Sequence, residues 1–170
     1  MMANKSESKN QAGNKEMPGH VQEIIKALEN EIEEIDLELN AQYDQADNII
    51  TEYWAWMLPE SSKRGRGEKN CLGLRVQRTK TGVTIQWYYN KWYKIDGKWK
   101  PMSKYIKKGR KATRYPEGTI KGYAKAWEWE RAWETENNLS RIRGVIQKLT
   151  DARKATGILI KKYAEMGKAL

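Results

Sequence analysis

An apolar stripe runs along the first third of the chain in alternating steps of four and three: Val21, Ile25, Leu28, Ile32, Ile35, Leu39, Gln42, Ala46, Ile49, Tyr53 and Trp56. Gln42 is its one polar member. The spacing is that of the a/d seam of a helix that packs lengthwise on another. At ~1.5 Å per residue the rod is roughly 55 Å long, and a rod cannot bury its stripe on itself. A second long helix is required, from this chain or from another copy. Pro59 is expected to end the rod, which gives an acidic long helix over 20–58. Before it, residues 1–19 are small, polar and without period, and read as a disordered tail.

A second helical pattern fills 117–166. Ile120, Tyr123, Ala124 and Trp127 share a face, and the stripe resumes at Leu139, Ile142, Ile146, Leu149, Ala152, Thr156, Ile160 and Tyr163. Asn137-Asn138 is a candidate interruption, and Gly144 and Gly157 weaken the helix locally. Arg141, Arg143, Lys148, Arg153 and Lys154 flank this stripe, which suits pairing with the acidic first helix. The two helices are therefore expected to pack as an antiparallel, coiled-coil-like hairpin. Trp54, Trp56, Trp127, Trp129 and Trp133 would cluster where the rods meet what lies between them.

Between the helices the period changes from 3.5 to two. A basic linker (59–71) gives way to Leu72, Leu74 and Val76 alternating with Arg75 and Gln77. After a turn at 79–82, Val83, Ile85, Trp87 and Tyr89 alternate with Thr84, Gln86, Tyr88 and Asn90, in a strand that can continue to Ile95. Asp96-Gly97 is a two-residue hairpin signal. A third strand follows from Lys98 to about Lys107, with Pro101 marking a bulge or an edge. The expected fold is α+β: a three-stranded antiparallel meander, with basic loops over 72–116, inserted between two long helices.

Charge is sharply partitioned. Residues 20–62 carry eleven acids against one Lys, whereas residues 63–125 carry nineteen Lys and Arg against Glu68, Asp96 and Glu117. The net +10 of the chain thus hides a −10 rod and a +16 centre. Such a block is the electrostatic footprint of a polyanion. With His20 alone, histidine-based metal clusters and Ser-His-Asp triads cannot be assembled in one chain. Cys71 alone makes no internal disulfide, and no signal-peptide core or membrane-length apolar run is present, so a cytoplasmic location is expected. No glycine-rich phosphate loop follows a strand. The acids at Glu128 and Glu130 are of the kind that is ordinarily solvated. No enzyme and no cofactor are indicated.

The sheet is the candidate reader. Its apolar face can sit on the helices, which leaves Arg75, Gln77, Thr84, Gln86, Tyr88 and Asn90 on the other. Arg pairs bidentately with guanine, Gln and Asn with adenine, and Thr meets a thymine methyl. Strands are an established way of entering a major groove. Lys63, Arg64, Arg66, Lys80, Lys91, Lys94, Lys104, Lys107, Lys108, Arg110, Lys111 and Arg114 would hold phosphates, which gives affinity without sequence information. The arm Lys63-Arg64-Gly65-Arg66-Gly67 could also enter a minor groove. Trp87, Tyr88, Tyr89, Trp92, Tyr93, Trp99 and Tyr105 crowd the same strands. With no Phe in the chain they are expected mostly to fill the core, Tyr88 and Trp92 excepted. Two other readings stand beside double-stranded DNA: an adaptor whose basic block meets an acidic protein, and a single-strand or RNA binder that stacks bases on Trp and Tyr.

Trp87-Tyr88, Lys104-Tyr105-Ile106-Lys107-Lys108-Gly109, Arg114-Tyr115-Pro116 and Tyr123-Ala124-Lys125-x-Trp127-Glu128 resemble the MobI family of conjugative elements and plasmids, over about residues 72–135. The resemblance implies a mobilisation factor at an origin of transfer, acting in a relaxosome beside a separate relaxase. It does not extend to the acidic first helix. A homodimer through the long helices is a further expectation, and no membrane partner is expected.

Overall fold

The computed structural model describes residues 17–80 and 82–169. The order is helix α1 (Gly19–Ser62), strands β1 (Leu72–Thr79), β2 (Gly82–Ile95) and β3 (Lys98–Tyr105), a short helix α2 (Glu117–Tyr123) and helix α3 (Trp129–Ala169). A 3-10 turn, Arg66–Glu68, lies between α1 and β1. The protein is α+β with one antiparallel sheet in the order β1-β2-β3.

Of the expected tail, residues 1–16 lie outside the described residues. The last few are ordered by packing: Met17 sits over the buried Gly167, and Gly19 opens α1. α1 also runs through Pro59, where the sequence suggested its end, and stops at Ser62. The missing Pro59 N–H costs one bond, and the last turn is held from outside. Ser61 is buried, its hydroxyl donates to Asn70 Oδ1 at 2.9 Å, and it accepts from the Asn70 N–H at 3.1 Å.

The buried residues of α1 are Val21, Ile35, Leu39, Ala46, Ile50, Tyr53 and Met57. Ile50 and Met57 take the places expected for Ile49 and Trp56. A straight helix at 3.6 residues per turn drifts about 20° per heptad against a 3.5 repeat, so by the fifth heptad the seam has moved on by one residue.

α1 and α3 run in opposite directions. Met17 meets Gly167, Asp36 meets Arg153, and Trp56 lies 5.9 Å from Trp127. The sheet lays its apolar face on both helices. Leu72, Leu74, Ile85 and Trp87 are buried with Tyr53 and Met57 of α1, Leu139, Ile142 and Ile146 of α3, and Ile120 of α2. Trp87 is the largest fully buried side chain. Its indole stands edge-on to Tyr53 at 5.3 Å.

The turn signals hold. Asp96 and Gly97 have positive φ (52° and 76°), as a type I′ hairpin requires, and the register pairs Ile95 with Lys98. β3 stops at Tyr105 rather than Lys107, because Ile106 dives into the core and its N–H bonds Trp87 O at 3.0 Å.

The second helical region departs most from expectation. It is not one helix. α2 ends at Tyr123, Ala124 is extended, and α3 then runs unbroken through Asn137-Asn138. Glu128 makes the break. One of its carboxylate oxygens accepts from the Lys125 N–H (2.7 Å), the return bond of a capping box. The other accepts from the N–H groups of Cys71 (2.9 Å) and Leu72 (3.4 Å), fastening the start of β1 to the start of α3. Glu128 is fully buried, not solvated, and burial pushes its carboxyl up against the pull of those N–H groups.

Arg143 likewise does not reach the acidic helix. It pairs with the buried Glu136 of its own helix, while Arg153 does cross to Asp36, at 2.6 and 3.0 Å. The tryptophans form separate groups: Trp56 with Trp127, Trp129 stacked on Trp133, and Trp54 bonding Leu74 O.

Candidate nucleic-acid interface

Alternation along β1 and β2 turns Arg75 and Gln77 outward, opposite Gln86 and Thr84. Arg75 and Gln77 are exposed, and Thr84, Gln86, Tyr88 and Asn90 are half-buried. All six expected base readers therefore come together on the face away from the helices. They are not equally free. Ser103 donates to Asn90 Oδ1 at 2.7 Å, which occupies the amide's acceptor. Tyr88 lies across Gly73, its cross-strand partner, where a Cβ would collide with the ring. Burial raises the Tyr88 hydroxyl's pKa.

Two residues of this face were not singled out as readers: Ser103 and Tyr105. Tyr105 pairs with Tyr88, and the Arg75 guanidinium sits 4.5 Å from the Tyr105 ring centre and 6.0 Å from that of Tyr88. Counting back from the Asp96-Gly97 turn gives the Tyr88–Tyr105 pairing directly, so the signal was in the sequence. The guanidinium thus lies over the Tyr105 ring with Tyr88 at its margin, a cation–π arrangement that fixes its position on this face. Trp92 pairs with Pro101 in the same ladder.

The expected phosphate contacts divide in two. Lys80, Lys91, Lys94, Lys104, Lys107, Arg110 and Lys111 are exposed. Three others are committed within the fold. Arg64 bonds Glu60 and lies 3.9 Å over Trp127. Lys108 donates to Ala112 O at 2.7 Å, and burial lowers its pKa. Arg114 bonds Asn137 and covers Trp133 at 4.4 Å. Lys63 is exposed beside Glu60, and Arg66 lies in the 3-10 turn. The arm is not a free tether: Lys125 donates to Gly67 O at 2.8 Å and Trp127 to Glu68 O at 3.0 Å.

At one margin of the sheet β2 has no partner strand over 82–87, since β3 pairs only from Tyr88 onward. A groove of about 310 Å³ runs there between the 108–113 loop and α3, with Lys108, Lys111, Gln86 and Gln147 on its walls. Arg143 closes its floor by donating to Ile85 O at 3.1 Å. At that margin the groove sets Lys108 and Lys111 beside Asp151 over an apolar floor of Val83, Ile85 and Ile146.

A family model described as MobI protein matches residues 42–157, well over half the chain. The chain belongs to the MobI family. No curated protein and no solved structure matches it. MobI membership makes this a mobilisation-related protein. The match begins at Gln42, after the acids Glu23–Glu38, takes in the whole sheet and α2, and ends at Gly157 within α3. The MobI segment is therefore the sheet together with the parts of both helices that support it. Among the described residues no helix is long and apolar enough to cross a membrane.

Proposed function

We propose that this MobI protein is a non-catalytic, sequence-specific binder of double-stranded DNA that recognises an origin of transfer within a relaxosome, beside a separate relaxase. The observation that carries this reading is the outer face of the sheet. Arg75 and Gln86 face each other across β1 and β2, Gln77 faces Thr84, and both helices pack on the opposite side. The sheet enters the major groove with these side chains on base edges. Exposed lysines at the turns and on β3 meet the phosphates. The antiparallel helix pair holds the sheet rigid from behind and leaves its far end for protein partners.

Fluorescence anisotropy against candidate-origin duplex, random duplex and single strand tests the reading. If about six phosphates are neutralised, log affinity falls with log salt at a slope of roughly −5, and the origin duplex binds tightest. Binding to none of the three removes the proposal. A preference for single strand transfers the site to base stacking on Tyr88.

A further inference from the structure

Beyond the sheet, α1 and α3 continue as a bare two-helix rod. Where the sheet supplies a third layer the seam is closed, as at Tyr53, Ala46 and Leu139, all 0% exposed. Toward the tip the same seam is only partly closed: Val21 and Gly167 are buried, but Ile25, Leu28 and Ile32 of α1 and Ile160 and Tyr163 of α3 are half-buried. Two helices cannot enclose a core, but four can.

The rod also has a second stripe. Val145, Ala152, Leu159 and Met166 recur every seven residues along α3, and all four are exposed, Leu159 to 44% and Met166 to 55%. At 100° per residue they lie to one side of the Ile142–Ile146 seam. Arg143, which reaches the sheet, lies to the other. The stripe therefore belongs to the back of the rod, away from the sheet. Lys148 and Lys162, both exposed, border it.

On α1 the same back face carries Glu31, Glu34 and Glu38, again exposed and opposite in direction to Trp54, which bonds the sheet. Among the described residues the ion pair joining the two helices is Asp36–Arg153, and none of these glutamates or lysines takes part in it. Each rod thus offers an acidic strip and an apolar, lysine-bordered strip side by side.

We propose that the back of the rod binds a second copy of this chain, the acidic strip of α1 lying on the Val145–Met166 stripe of the partner's α3 and the reverse. A two-fold axis satisfies both contacts at once, which makes the surface self-complementary. The back face from Val145 to Met166 is about 33 Å long. Two helix widths then give an interface of roughly 700 Å² per copy, the size of a standard stable one. This dimer does not depend on the DNA reading.

Light scattering on the full chain gives the mass in solution, and the expected value is twice that of one chain. Two charge-reversed chains make the test specific: Glu34→Lys with Glu38→Lys, and Lys148→Glu with Lys162→Glu. All four sites are exposed, and circular dichroism reads whether the helices persist. Each variant alone sets like charge against like charge in both contacts, so its dimer is at least about tenfold weaker. Mixed together, they restore a dimer in which both contacts are attractive. A wild-type monomer at all concentrations overturns the proposal and leaves the face to a different protein. So does a dimer that both variants leave unchanged, or a mixture that fails to recover.

Discussion

The Arg143 guanidinium grips the Glu136 carboxylate with two bonds, of 2.9 and 3.0 Å, seven residues apart on α3 and almost without solvent. The pair is also a junction. Glu136 accepts from the Trp87 indole at 2.7 Å and the Tyr115 N–H at 2.8 Å, while Arg143 donates to Ile85 O and Thr113 O. Sheet, basic loop and helix meet there. Removing one partner strands a buried charge, so Glu136→Ala or Arg143→Ala costs about 3–5 kcal/mol. The double variant Glu136→Leu/Arg143→Leu still orphans Trp87, Tyr115, Ile85 and Thr113, and does not recover to wild type. Urea unfolding of the three variants measures both effects, and full recovery in the double variant would contradict the junction role.

Glu128 sets a pH dependence. Its folded carboxyl lies above the ordinary value of 4.5 because of burial, so the folded chain holds this proton more tightly than the unfolded chain does. Its contribution to stability is therefore fully present below the ordinary value and is lost as pH rises through the folded one. Glu128→Gln removes the titration while keeping an oxygen for the Cys71 and Leu72 N–H groups. Across the window from 4.5 upward, the melting temperature of Glu128→Gln gains on that of wild type as pH rises. A constant difference between the two would remove Glu128 as the cause.

Two buried tyrosines behave oppositely. The Tyr53 hydroxyl is fully buried with no hydrogen-bond partner among the described residues, whereas the Tyr115 hydroxyl accepts from the Trp87 main-chain N–H at 3.3 Å. Tyr53→Phe sheds an unpaired polar group and stabilises by about 1 kcal/mol, while Tyr115→Phe orphans a buried N–H and destabilises by about 1–3 kcal/mol. Denaturant midpoints with unchanged slopes show the two signs.

Gly73 keeps the Tyr88 ring flat on the sheet. Gly73→Ala forces the ring away, at about 1–3 kcal/mol for an overpacked site. Tyr88→Ala in the same chain makes Gly73→Ala close to neutral. A double-mutant cycle reads the coupling, and additivity of the two changes would mean that the ring does not lie on Gly73.

Where local physics decides, the sequence was sufficient. Alternation over 72–95 and the Asp96-Gly97 turn give the strands, their register and the outward residues, Tyr105 included. The a/d steps give α1 but carry the seam one residue astray by Ile50, because a helix of 3.6 residues per turn drifts against a 3.5-residue repeat. The break at 124–128 was hidden. It is made by Glu128 reaching Cys71 and Leu72, more than fifty residues away along the chain. The same holds for two of the cations: nothing local to Arg64 or Arg114 announces Trp127 or Trp133. Their charge was legible; their engagement is tertiary.

The central claim is that the outer face of the sheet reads bases while the surrounding lysines only hold the backbone. Anisotropy titrations of Arg75→Ala and Lys104→Ala, each against origin and random duplex at several salt concentrations, separate the two roles. Arg75→Ala is expected to lose about 1–3 kcal/mol on the origin duplex alone and to relax the preference at one or two base pairs. Lys104→Ala is expected to weaken both duplexes equally and to reduce the salt slope by about one. If Arg75→Ala weakens origin and random duplex to the same extent, or neither, the sheet is not the reader.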